Sequence, residues 1–184
     1  MRRAALAAIA TFCLAQAQAQ DGVSTEWAQP VISSDLSALP EPVRAIRLSL
    51  MAAARSGNIE NLRPIFETQA ELPVVSFGMP RDPVTYLKQV SEDADGAQIL
   101  SVLLNLLDAP YAWFPGTEGE KVHYVWPYLA TLSNFSDLPP NQKVDAYRIL
   151  TTKEVTELKQ MDAWYFWRVV ISETGDVTAF VAGD

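Results

Sequence analysis

The chain is 184 residues long, with 14 Lys and Arg against 22 Asp and Glu and a net charge of -8. That acidity disfavours a nucleic acid as partner, because phosphates are bound by Lys and Arg that neutralise them. A single histidine, His123, and a single cysteine, Cys13, exclude a two-histidine metal site and an internal disulfide.

Residues 1–19 have the layout of a secretory signal peptide. Arg2 and Arg3 make a basic start, residues 4–14 are apolar, and Ala15-Gln16-Ala17 and Ala17-Gln18-Ala19 are overlapping small-x-small cleavage sites. The apolar stretch is shorter than the roughly 20 residues of a transmembrane anchor. Phe12, directly before Cys13, is too large for a lipoprotein cleavage point. Export is therefore expected. Cleavage removes Cys13, Arg2 and Arg3, leaving twelve basic residues against 22 acidic ones and a net charge of -10. The remainder is the usual size of one domain and long enough to bury about 70% of its unfolded surface.

Residues 20–42, with Pro30, Pro40, Pro42, Ser33, Ser34 and Ser37, read as an extended lead-in that Trp27 could dock. Residues 43–184 read as one α+β domain. Val43, Ile46, Leu50, Ala53 and Ala54 recur at helical spacing between Pro42 and Gly57. Asn58 caps a second helix, kinked by Pro64, so that residues 43–66 form a helical hairpin. Residues 72–77 suggest a short strand, and Asp82-Pro83 opens a helix with Val84, Leu87 and Val90 on its apolar face. The segment 97–107 carries Ile99, Leu100, Leu103, Leu104 and Leu107 on one side and Val102 and Leu106 on the other. Apolar nearly all round, it predicts a buried helix.

Residues 111–114 and 122–126 flank Pro115-Gly116-Thr117-Glu118-Gly119 and predict a hairpin ending at Pro127. A short helical turn, a helix from Pro140 and another capped by Thr152 follow. Residues 164–171 and 177–181 predict a closing hairpin around Glu173-Thr174-Gly175-Asp176. Alternation along its first strand would put Tyr165 and Trp167 on one face and Trp164 and Phe166 on the other. The expected fold is helices packed on a small antiparallel sheet built from two aromatic-rich hairpins.

No catalytic signature accompanies His123: there is no nucleophile elbow, no S-x-x-K, no H-E-x-x-H and no P-loop. Asp93-Ala94-Asp95-Gly96 fails as a calcium loop, since Ser91 and Val102 stand where the first carboxylate and the bidentate Glu belong. Asp95 and Gly96 are instead expected to turn and cap the buried helix. No metal or cofactor is expected. The aromatic crowding in the hairpins points to a ligand site at Trp113, Tyr124, Trp126, Tyr128 and Trp167, since Trp and Tyr offer an apolar body with a polar tip. The competing reading is that these rings are the core of the sheet.

The motif Tyr124-Val125-Trp126-Pro127-Tyr128-Leu129-Ala130 and the closing Ala179-Phe180-Val181-Ala182-Gly183-Asp184 resemble a group of uncharacterised exported proteins of alphaproteobacteria. That resemblance implies a periplasmic address and no particular activity. The helical hairpin of residues 43–66 is similar to the start of NTF2-like domains, whose curved sheet often holds a pocket. Two functions are thus expected as alternatives. One is a non-catalytic periplasmic module that binds a small ligand or an envelope component. The other is an NTF2-like pocket enzyme with a carboxylate or His123 as general base.

Overall fold

A computed structural model describes residues 29–115 and 121–183. The expected signal peptide, Trp27, and the tip of the first hairpin at residues 116–120 lie outside the described residues. The fold is α+β: among the described residues six α-helices pack on a five-stranded antiparallel sheet whose strands lie side by side in chain order. The strands are β1 (Val31–Ser33), β2 (Tyr111–Trp113), β3 (His123–Trp126), β4 (Arg168–Ser172) and β5 (Val177–Val181). The helices are α1 (Glu41–Arg55), α2 (Arg63–Glu67), α3 (Pro83–Val90), α4 (Ala97–Leu107), α5 (Pro140–Ile149) and α6 (Thr152–Met161).

The lead-in supplies edge strand β1, which pairs with β2, and the Tyr111 hydroxyl anchors the following turn by donating to the Asp35 carbonyl at 2.8 Å. Cross-strand pairing puts Trp113, Tyr124, Ile171, Trp126, Val169 and Phe180 on one face of the sheet. That face packs with the apolar stripes of α1 and α4 in the main core. Ala112 points the opposite way. It joins a second cluster with Tyr128, Leu129, Phe135, Val155, Leu158 and Trp164, which holds α5 and α6 to the sheet.

Two polar devices set α4 in place. Arg47, buried on the core side of α1, donates through Nε and Nη2 to the Leu107 carbonyl at 3.0 and 2.7 Å. It thereby satisfies one of the carbonyls that the end of α4 leaves unpaired. At the other end Asp93, not Asp95, does the capping: its carboxylate accepts from the backbone N–H groups of Asp95, Ala97 and Gln98. Gly96 has φ 82°, and a Cβ there would come within 2.6 Å of Ile59, so the position admits only glycine.

Three further expectations are corrected. Residues 72–77 form no strand, because only Val74 makes a bridge, parallel to Ala179 on β5. The cap of α6 is Thr151, in a reciprocal capping box with Glu154, and not Thr152. The strand expected over 164–171 begins only at Arg168. Asp162 turns the chain in the left-handed conformation, φ 51°, and there is a bend at Phe166.

Candidate functional site

The late start of β4 decides where the aromatic residues go. Within a strand the four rings of residues 164–167 would alternate between faces. In the bent segment all four residues line one groove of about 210 Å³. One wall is α4, whose Gln98, Val102 and Leu106, four residues apart, form a single ridge. This is the second side of the helix that reads as apolar all round, and it explains why that side carries Val and Leu. Ile149 and Leu150 at the end of α5, with Glu154 on α6, make the opposite wall, and Glu92 and Ala182 complete the lining.

The rings support one another. Tyr165 and Phe166 have centroids 4.3 Å apart, Phe166 meets Trp164 edge-on at 5.5 Å, and Trp167 leans on Phe180 at 4.9 Å. Trp164 is buried and its Nε1 has no hydrogen-bond partner, while Tyr165, Phe166 and Trp167 are half-buried and keep surface in the groove. The Tyr165 hydroxyl donates to Glu157 at 3.3 Å. Burial first, and then Glu157 and Glu154, push the Tyr165 phenol above its ordinary pKa.

Of the five sequence-expected site residues, Trp113, Tyr124, Trp126 and Trp167 pack in or against the main core and Tyr128 lies in the second cluster. Trp126, with none of its surface exposed, and Tyr128 are interior side chains in the two different clusters. Tyr124 is buried and stacks with Trp113 and Tyr111 on the core face of the sheet. Trp113 keeps some exposure at the end of β2, away from the groove. Of the five, only Trp167 lines the groove. Interior packing has a separate cause at each: Trp126 faces Val169 across the ladder, and Tyr128, in the 3-10 turn after β3, reaches Asp145 on α5 with its hydroxyl at 3.0 Å. Sequence reasoning missed Phe166, Val102 and Leu106 as a unit. The available signal was the unexplained second apolar side of the 97–107 helix.

His123 lines a separate hollow of about 240 Å³ with Lys121, Ser172, Asp176 and Thr178, roofed by residues 70–74. Its pairing partner across the ladder is Ser172. The groups are not in the order of a nucleophile relay, where histidine stands between serine and carboxylate. Here the Ser172 hydroxyl touches Asp176 at 3.3 Å and Thr174 at 2.8 Å, while His123 Nδ1 lies 3.1 Å from the carbonyl of Lys121. Hydrogen bonds from Thr174 and then Ser172 hold the Asp176 carboxyl below the usual range, so it stays ionised and fixes the β4–β5 turn. Among the described residues no group of three or more His, Cys, Asp or Glu is placed to hold a metal ion.

The chain matches no family model, no curated protein and no solved structure. Among the described residues no helix is long and apolar enough to cross a membrane.

Proposed function

We propose that this chain is an exported, non-catalytic module that holds a small ligand in the groove beside residues 164–167. The observation that carries the reading is the convergence of four consecutive aromatic side chains on one concave surface, opposite the Val102–Leu106 ridge. Trp164 and Phe166 pack with the second cluster and Trp167 with the main core, and Tyr165, Phe166 and Trp167 stay partly uncovered. Apolar walls with a few polar groups at the rim are the usual make-up of a ligand site. The volume is below the 300–1,000 Å³ typical of drug-sized ligands, so the ligand is a smaller molecule. Export rests on the layout of residues 1–19, and a periplasmic address on the resemblance of residues 124–130 and 179–184 to exported alphaproteobacterial proteins.

The test is native mass spectrometry of the full chain, expressed with its leader and recovered after export, compared with Phe166→Ala. The expected result is a small-molecule adduct on the native protein that the variant loses while remaining folded. No adduct on either protein, or an adduct that survives the substitution, contradicts the proposal.

The enzyme alternative rests on the His123 hollow, which brings a histidine, a lysine and an ionised carboxylate to one depression. It requires that His123→Ala abolish a turnover that Phe166→Ala leaves intact.

A further inference from the structure

The groove beside residues 164–167 is charged in one sense only. Glu92 and Glu154 line it together with the rings, and among the described residues no Lys or Arg does. Glu154 uses Oε2 for its cap on Thr151, through both the backbone N–H and the hydroxyl. Glu157, which accepts from Tyr165, is the one nearby carboxylate with a cation of its own, Lys153 at 3.6 Å. The pKa of the Tyr165 phenol is raised in part by Glu157 and Glu154, which places negative potential at the aromatic wall.

Aromatic faces and carboxylates share a preference. The ring quadrupole is negative over its face and attracts a cation within about 6 Å of the centroid, most strongly when that cation is weakly hydrated. Carboxylates at the rim add attraction at short range and steer the approach. An anionic ligand would meet two carboxylates with no Lys or Arg among the lining residues to offset them. Resting on the groove as the ligand site, we infer that its occupant is a small organic cation of the substituted-ammonium class, held by the rings of residues 164–167 and by Glu92 and Glu154.

Choline and its neutral carbon isostere 3,3-dimethylbutan-1-ol are the probes, since they share a shape and differ by one charge. Each is titrated into the full chain and followed by tryptophan fluorescence and calorimetry. The variants are Phe166→Ala and the double variant Glu92→Gln, Glu154→Gln, in which glutamine keeps an acceptor for the Thr151 cap. Choline is expected to bind at least tenfold more tightly than the isostere. In the double variant that ratio should fall to about one with the melting temperature nearly unchanged, and in Phe166→Ala choline binding should be lost.

Equal or tighter binding of the isostere, abolished by Phe166→Ala, overturns the cation and leaves the groove standing as a site for neutral ligands. A choline preference that persists in the double variant removes the two glutamates from the account and so contradicts it. Failure of both probes to bind overturns the inference as well. An adduct lost with Phe166→Ala in mass spectrometry would then show whether the groove itself survives.

Discussion

Arg47 offers the sharpest energetic test of the scaffold, because it is a buried cation whose hydrogen-bonded partner is a backbone carbonyl. Its guanidinium makes two charge-assisted hydrogen bonds to Leu107, and its ion pair is with the exposed Asp108 at 3.6 Å. Burial pushes its pKa down, and Asp108 opposes that shift. Arg47→Met keeps much of the aliphatic stem and removes the donors, which leaves the Leu107 carbonyl unpaired at a cost of about 1–3 kcal/mol. Relief of the buried charge offsets part of this. Arg47→Ala also loses two methylenes of packing, roughly 0.8 kcal/mol each, for a total of about 2–4 kcal/mol. At about 2–4 °C per kcal/mol for a domain of this size, Arg47→Ala should melt roughly 5–12 °C lower and Arg47→Met should fall between it and the native protein. Thermal melts and urea titrations of the three proteins measure this. If Arg47→Met is as stable as the native chain, the C-terminal anchor of α4 is not an energetic feature. The wall of the groove would then be held by packing alone.

Other consequences follow from hydrogen bonds that span elements. Burial, and then the hydrogen bond to Asp145, raise the pKa of Tyr128, so the fold favours the neutral phenol. That contribution is complete below the unfolded value of about 10 and is lost as pH rises above it, at up to about 1.4 kcal/mol per unit. Melts between pH 8 and 11 should show Tyr128→Phe less stable than native at pH 8 and losing stability less steeply above pH 10; parallel curves contradict this. Asp82 is the opposite case, a helix cap held well below the carboxylate range by Thr85 and then Arg63. Its stabilisation is present above about pH 4 and lost as pH falls. Asp82→Ala should therefore cost about 1 kcal/mol at pH 7 and measurably less near pH 2, as read by denaturant titration at the two pH values. Asp162 accepts from the N–H groups of Phe135 and Ser136 at 2.6 and 3.0 Å while holding φ 51°. Asp162→Ala should cost about 2 kcal/mol and Asp162→Asn, which keeps an acceptor and tolerates this conformation, less than half of that; equal losses contradict the loop anchor.

Local chemistry explains which parts were legible in the sequence. Helices α1, α3 and α4 announce themselves through apolar spacing bounded by Pro42, Gly57, Asp82 and Gly96, and both hairpins through aromatic and β-branched runs around turn residues. The α+β class follows from their order. What was hidden depends on distant contacts. Val31–Ser33 becomes a strand only because β2 lies beside it. Arg47 reads as a solvated helical charge until Leu107 is brought against it. The segment 164–167 has the composition of a strand, but Trp164 is drawn into the cluster under α6, and the chain bends before it rejoins the sheet. The candidate site lies at that bend, where local preference for a strand gives way to packing. Trp126 and Tyr128 are the reverse case, side chains suited to a ligand that the ladder and the turn after it bury.

The groove is tested most directly by the indole N–H resonances of the full chain while choline, 3,3-dimethylbutan-1-ol and phenol are added in turn. At least one of these small molecules should move the signals of Trp164 and Trp167 in a saturable way and leave the interior Trp126 unmoved. If none shifts the first two, or if Trp113 responds instead, the four rings are packing and not a binding surface.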